Sequence, residues 1–142
     1  MTLAIRRIQV WSGEIPDRPG AAAAKLEHLA RVGIDLEFVF TRPKRNNPDV
    51  SILFIAPIQG AEQVQAAKDA GLGPAVDVAM LCVEGENRAG IGYDIMSRLA
   101  VAGINLRGIA ISAAGGHFNA YLAFDNADVA TMALQILATL AG

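Results

Sequence analysis

Apolar and polar residues alternate in the first segment of the chain, between Ala4 and Trp11. A period of two residues predicts a β-strand with one buried face. A helical period begins after Pro19-Gly20 and stops before Gly33, a residue type that commonly ends helices. The apolar stripe of this predicted helix consists of Ala22, Leu26, Leu29 and Ala30. The chain therefore opens with a strand and an amphipathic helix.

Three further elements complete the first half of the chain. Leu36–Thr41 and Val50–Ala56 have the residue types of strands, and the basic segment Arg42–Pro48 is predicted as the turn between them. Ala61–Gly71 follows as a second helix. The second half repeats the order strand, helix, strand, strand, helix. Its elements are predicted at Val78–Glu84, Gly90–Ala102, Leu106–Ala113, Phe118–Asp125 and Ala127–Leu140.

The two halves also match residue by residue when the sequence is shifted by about 70 positions. No gap is needed. The matches pair Glu14 with Glu84, Arg18 with Arg88, Gly20 with Gly90, Gly33–Leu36 with Gly103–Leu106, and Phe54 with Phe124. This pattern indicates a duplication, with one module in residues 1–72 and a second in residues 73–142.

The order of elements predicts the fold class α+β, with two tandem ferredoxin-like βαββαβ modules whose antiparallel sheets carry helices on one face. Each copy lacks an obvious fourth strand but begins with a long strand region, Ala4–Ser12 or Ala75–Glu84. We expect Leu3–Arg7 to complete the sheet of the second copy and Pro74–Asp77 that of the first. Completion by another subunit is the alternative.

The candidate site lies where the first strand of each copy leads into its first helix. Gly20 and Gly90 permit a close approach of the backbone to a ligand, and the helix behind each glycine presents unpaired N–H groups that suit a carboxylate. The side-chain oxygens of Asp17 and Asn87 suit an ammonium group. An α-amino acid carries both groups. Helix capping is the structural alternative for Asp17 and Asn87.

These segments resemble the ACT domain, a regulatory module that binds amino acids in many metabolic enzymes and also occurs as stand-alone tandem proteins. The resemblance rests on Pro16–Gly20 followed by Gly33–Leu36, and on Glu86–Gly90 followed by Gly103–Leu106. It implies amino-acid binding at interfaces between modules. The ligand-binding residues that it implies are Asp17, Arg18, Gly20, Ala21, Asp35, Asn87, Arg88, Gly90, Ile91 and Asn105. Ala89 stands where the family usually has proline, which leaves open whether both copies bind.

Composition favours association with a second chain. The hydrophobic fraction of 53% is high for a lone domain of this size. Strand Val50–Ala56 is apolar on both faces: we expect Val50, Ile52 and Phe54 to face the helices, and Leu53 and Ile55 to face a partner sheet. A homo-oligomer, expected to be a dimer, follows.

Several function classes are not expected. A net charge of -2 from scattered charges does not favour nucleic acid, no segment suits a membrane span, and the lack of a signal-peptide pattern favours a cytoplasmic location. His28, His117 and Cys82 lie outside any motif for catalysis or metal binding. We therefore expect no enzymatic activity, no cofactor and no metal. The alternative to a sensor is a ligand-free dimerisation platform or a regulatory subunit of a separate metabolic enzyme.

Overall fold

The computed structural model describes residues 3–141, which form two compact units. The first-copy unit is Gln9–Ala75, and the second-copy unit combines the residues up to Ile8 with those from Val76 onward. Each unit has a four-stranded antiparallel sheet and two α-helices. The α+β class predicted from the sequence is therefore confirmed.

The elements follow the predicted order, with short additional strands at the start of each copy. In chain order they are β1 (Ala4–Ile8), β2 (Trp11–Pro16), α1 (Ala21–Arg31), β3 (Phe38–Lys44), β4 (Asn47–Ala56), α2 (Gly60–Asp69), β5 (Gly73–Pro74), β6 (Ala79–Glu86), α3 (Ile91–Val101), β7 (Gly108–Ala114), β8 (His117–Phe124) and α4 (Ala127–Ala138). A short 3-10 helix, Thr139–Ala141, follows α4.

Each sheet takes its fourth strand from the segment that precedes the other copy. The strand orders are β3-β4-β2-β5 and β1-β6-β8-β7. Strand β1 pairs antiparallel with β6, placing Arg6 opposite Cys82, and β5 pairs with β2, placing Pro74 opposite Trp11. The Ala75 N–H also donates to the Val10 carbonyl at 2.9 Å.

The turns and strand ends differ from the sequence expectations at two places. The long strand region Ala4–Ser12 is broken, because β1 ends at Ile8 and β2 begins at Trp11 in the other sheet. The predicted loop Arg42–Pro48 is largely strand, since β3 and β4 continue their pairing to a turn at Arg45 and Asn46. The register shifts by three residues after Pro43, a shift that β7 and β8 lack, so the gap-free match of Phe54 with Phe124 does not hold in the strand pairing.

The expected facing of strand β4 is wrong. Leu53 and Ile55 are fully buried in the helix-side core of the first-copy unit, which also contains Leu29 of α1 and Ala67 of α2. Phe54 instead lies 6.4 Å, centroid to centroid, from the Phe40 ring on the other face of the sheet. Alternation shows that two faces exist but not which one the helices cover.

The second-copy unit has a larger core between its sheet and helices. The buried residues at its centre are Leu81, Val83, Ile95, Leu99, Phe118, Leu122, Phe124 and Leu137. Leu3, just before β1, also belongs to this core. Within residues 3–141, no helix has the length and apolar character needed to cross a membrane.

Candidate functional site

The first candidate loop connects β2 to α1. The Asp17 N–H donates to the Asp49 carbonyl at 2.9 Å, which fixes the loop beside the neighbouring strand. The Arg18 N–H donates to the Pro16 carbonyl, also at 2.9 Å. Gly20 then adopts φ 86° at the N-cap of α1, a left-handed conformation that favours glycine. Backbone geometry alone therefore turns the chain into the helix.

The second candidate loop, between β6 and α3, repeats this geometry. The Asn87 N–H donates to the Gly116 carbonyl at 2.9 Å, in the turn between β7 and β8. Gly90 is the N-cap of α3 with φ 85°. The Ile91 N–H donates to the Arg88 carbonyl at 3.3 Å, and the Ala21 N–H donates likewise to Arg18. The duplication has thus preserved the backbone of the loop.

Neither helix receives a side-chain cap at its N-terminus. The capping role considered for Asp17 and Asn87 is therefore not realised. Both residues are exposed in the loop, as are Gly20 and Gly90. No atom lies within 4 Å of the position that a Cβ would occupy on either glycine. The approach to the first turn of each helix is open.

The side chains of Ala21 and Ile91 do not face this approach. They are 9% and 5% exposed and belong to the cores of their respective units. Their backbone N–H groups bond to the carbonyls of Arg18 and Arg88, as described above. A ligand at these loops would consequently meet backbone and polar side chains, and not the side chains of Ala21 and Ile91.

The two copies differ in charge at the helix start. In the second copy, the Arg88 guanidinium forms an ion pair with Asp94 in the first turn of α3, with an N–O distance of 2.5 Å. The residue aligned with Asp94 in the first copy is Ala24, and the first turn of α1 has no acidic residue. Arg18 has no ion pair with any residue from 3 to 141. The first loop therefore offers an available guanidinium, while the second is already neutralised.

Asp94 is a residue that the sequence comparison overlooks. Matching the copies emphasises identical positions, whereas Asp94 matters because it differs from Ala24. An acidic residue in the first turn of a helix is a recognisable signal, since it interacts favourably with the helix dipole. In this chain it also pairs with Arg88, a residue type that both copies of the loop share.

Asp35 and Asn105 lie at the other end of the first helix in each unit. Both are exposed and follow the helix C-terminus, whereas Gly20 and Gly90 precede the N-terminus. Each helix has 11 residues and spans about 16 Å at roughly 1.5 Å per residue. A single unit therefore does not bring these residues together with its own loop.

No family model matches the sequence, and no curated protein matches it. Solved structures do match the fold. Protein BT0572 from Bacteroides thetaiotaomicron matches with a TM-score of 0.76 and 16% identity, covering 94% of this chain and 88% of that one. The ligand-free regulatory subunit of aspartate kinase from Thermus thermophilus matches with a TM-score of 0.63 and 19% identity, covering 99% and 97%. E. coli aspartokinase III, in complex with aspartate and ADP, matches with a TM-score of 0.61 and 17% identity, covering 96% of this chain and 32% of that one.

These matches establish a shared fold. They include the regulatory subunit of an aspartate kinase over nearly the whole length of both chains, which supports an ACT-like fold here. Two antiparallel four-stranded sheets and four α-helices within residues 3–141 agree with the ferredoxin-like arrangement expected from the sequence.

Proposed function

We propose that this protein is a non-catalytic regulatory protein that binds an α-amino acid at the loop before the first helix of a copy. The observation that carries the proposal is the duplicated loop, which ends in an uncapped helix with an open approach in both units. The similarity in fold to the regulatory subunit of an aspartate kinase supports a regulatory role. In keeping with the ACT resemblance, we propose a homodimer with ligands at module interfaces.

The chemistry of the loop suits a zwitterion. The carboxylate would accept hydrogen bonds from the first-turn N–H groups, an interaction that contributes about 0.3 to 1 kcal/mol at a helix N-terminus. The Asp17 carboxylate or the Asn87 side-chain oxygen would accept from the ammonium group. Affinity beyond this level requires burial of the ligand side chain, which an interface between modules would provide.

The first-copy loop is the better carboxylate site of the two. Arg18 is exposed and available to a ligand, while Arg88 is engaged by Asp94. An incoming carboxylate would have to compete with Asp94, in the first turn of α3, for the Arg88 guanidinium. We therefore assign the principal binding role to Asp17, Arg18 and Gly20.

The Arg88–Asp94 ion pair at the second loop favours a second candidate function for that copy. Because its arginine already has an internal carboxylate partner, the second module would serve as a ligand-free platform within a regulatory subunit. In either case we propose a cytoplasmic protein that acts on a separate enzyme, without cofactor or catalysis of its own.

Thermal unfolding against the twenty amino acids tests the proposal. A ligand of the native state raises its stability by about 2.7 kcal/mol at a hundredfold excess over Kd. We expect a selective rise in Tm that D17A and R18A abolish. The matched control D77A removes an exposed aspartate outside both loops and should keep the rise. If none of the twenty amino acids raises Tm, the sensor proposal is rejected and the ligand-free platform remains.

A further inference from the structure

The β3–β4 hairpin of the first copy is three residues longer than the β7–β8 hairpin of the second. In the first copy, the five residues 44–48 separate Pro43 from Asp49, whose carbonyl holds the candidate loop. In the second copy, two residues separate Ala113 from Gly116, whose carbonyl has the same role. The first copy therefore has an extension at its hairpin tip that the second lacks.

This extension lies beside the candidate loop of the first copy. The Asp17 N–H donates to the Asp49 carbonyl at 2.9 Å, and the Asp49 N–H donates to the Asn47 side-chain oxygen at 3.2 Å. Asn47 in turn pairs with Lys44 across the hairpin, and Arg45 follows Lys44 in the turn. These contacts connect the loop before α1 to the hairpin tip.

The extension gives the first site a positive charge balance. Residues 14–20 and 42–49 contain four cationic and three anionic side chains, a net charge of +1. The corresponding residues of the second copy, 84–90 and 112–116, contain one cationic and two anionic side chains, a net charge of -1. The charged residues of the first set are Arg18, Arg42, Lys44, Arg45, Glu14, Asp17 and Asp49, and those of the second are Arg88, Glu84 and Glu86. Charge complementarity thus favours a ligand with a negative net charge at the first site.

Arg45 is the cationic side chain of this hairpin that remains available to a ligand. Lys44 Nζ forms an ion pair with Glu14 Oε2 at 2.7 Å. The guanidinium carbon of Arg42 lies 5.2 Å from the centroid of the Phe54 ring, a cation–π distance. Arg45 is exposed and forms no ion pair with any residue from 3 to 141. A second carboxylate near the loop would therefore find its partner in Arg45.

We propose that the ligand of the first-copy loop is a dicarboxylic amino acid whose side-chain carboxylate is bound by Arg45. The inference rests on the amino-acid binding proposed above and names the chemical class of the ligand. Arg18 binds the α-carboxylate, and Asp17 binds the ammonium group. A guanidinium suits the second carboxylate because its planar fork of donors can bind both oxygens. Such a ligand has a net charge of about -1 at neutral pH, opposite to that of the site.

The second copy does not have this arrangement. Its turn consists of Gly115 and Gly116, which offer no side chain to a ligand. Arg88 is paired with Asp94, and Glu86 adds an exposed negative charge beside the loop. Selection of a dicarboxylic ligand is therefore a property of the first copy.

Isothermal titration calorimetry of the full chain tests the ligand class by comparing each acid with its amide. Glutamate and glutamine, and likewise aspartate and asparagine, differ in charge and hardly in shape. We expect the acid to bind with a Kd lower by roughly fivefold, the upper range for an exposed ion pair. This ratio should fall towards one between about 0.1 M and about 1 M salt, where the Debye length shortens from about 10 Å to about 3 Å.

Two variants that each replace one cation by glutamine test the assignment to Arg45. R45Q should bring the ratio of the two Kd values close to one, because it removes the partner of the second carboxylate. The matched control K68Q removes an exposed cation from α2 of the same unit and should keep the wild-type ratio. Both variants should unfold at the wild-type Tm without ligand, which excludes a general loss of structure.

The opposite outcomes would overturn the inference. An amide that binds as tightly as its acid, or an acid preference that survives in R45Q, would reject the recognition of a second carboxylate by Arg45. Selective binding of a neutral amino acid that D17A abolishes would reject the ligand class and leave the proposed function intact. If none of the twenty amino acids binds, the proposed function itself is rejected, and the inference with it.

Discussion

At the scale of single residues, Gly20 and Gly90 shape the candidate site. Both hold φ near 85° at the start of a helix, with no atom near the position of a Cβ. An added methyl group would therefore meet open space, and its cost would come from the left-handed backbone alone. The retention of glycine at both positions of the duplication has a conformational reason that is independent of packing.

G20A and G90A should each lower the free energy of unfolding by about 1 kcal/mol, because a residue with a Cβ is strained in the left-handed region. Urea denaturation of the full chain measures the change. G73A is the control: its Cβ also meets open space, but its φ is not positive. G73A should leave stability unchanged or slightly higher, and equal losses in all three variants would contradict the backbone explanation.

At the scale of elements, the helices begin in different ways. Helix α4 has Asn126 as its N-cap, whose side-chain oxygen accepts from the Val129 N–H at 2.9 Å. Helices α1 and α3 begin at glycine without a side-chain cap. Helix α2 also lacks a side-chain cap, so what distinguishes α1 and α3 is the left-handed glycine N-cap at the duplicated loops.

N126A should cost about 1 kcal/mol of stability, since it removes the one side-chain acceptor at the start of α4. The control is Q59A at the N-cap of α2, where the side chain makes no capping bond. The Gln59 N–H bonds to the Gln63 side chain and would keep that bond in the variant. Chemical denaturation of both variants checks the expectation, and an equal loss in Q59A would argue against a specific cap.

For strand β4, the local sequence pattern predicts the strand but not which of its faces the helices cover. The run of apolar residues correctly predicts a strand, but both of its faces are apolar. Pairing with β2 sets Ile55 opposite Trp11, and both belong to the helix-side core. That pairing is long-range information, so the local pattern assigned the wrong set of residues to the helices.

At the scale of the whole molecule, a short N-terminal segment belongs to the unit that consists mainly of the second half of the chain. Strand β1 is hydrogen-bonded to β6, and Leu3 is 9% exposed in the core of the second-copy unit. The whole first-copy unit, Gln9–Ala75, separates this segment from the rest of its unit along the chain. The stability of the second-copy unit should depend on residues that sequence position would assign to the first.

L3A should destabilise the second-copy unit by about 2 kcal/mol, because it removes buried methyl groups from that core. Hydrogen exchange of the β6 amides should report the loss directly. V76A is the control, since Val76 is 94% exposed in the same unit. Unchanged protection of β6 in L3A would mean that the segment contributes little to this core.

Local pattern and duplication by themselves determined the elements, the α+β class and the duplicated loop with its two glycines. These features depend on residue periodicity, turn chemistry and comparison of the chain with itself, all of which are local or internal to the sequence. The long strand regions also predicted that the segment before each copy completes the sheet of the other copy, and the strand orders agree with that prediction. Only the tertiary structure decided which face of β4 the helices cover and which strands form the sheet edges. It also showed that Arg88 is paired with Asp94 while Arg18 is not. These features depend on contacts between segments distant in sequence, and periodicity carries no record of which segments meet.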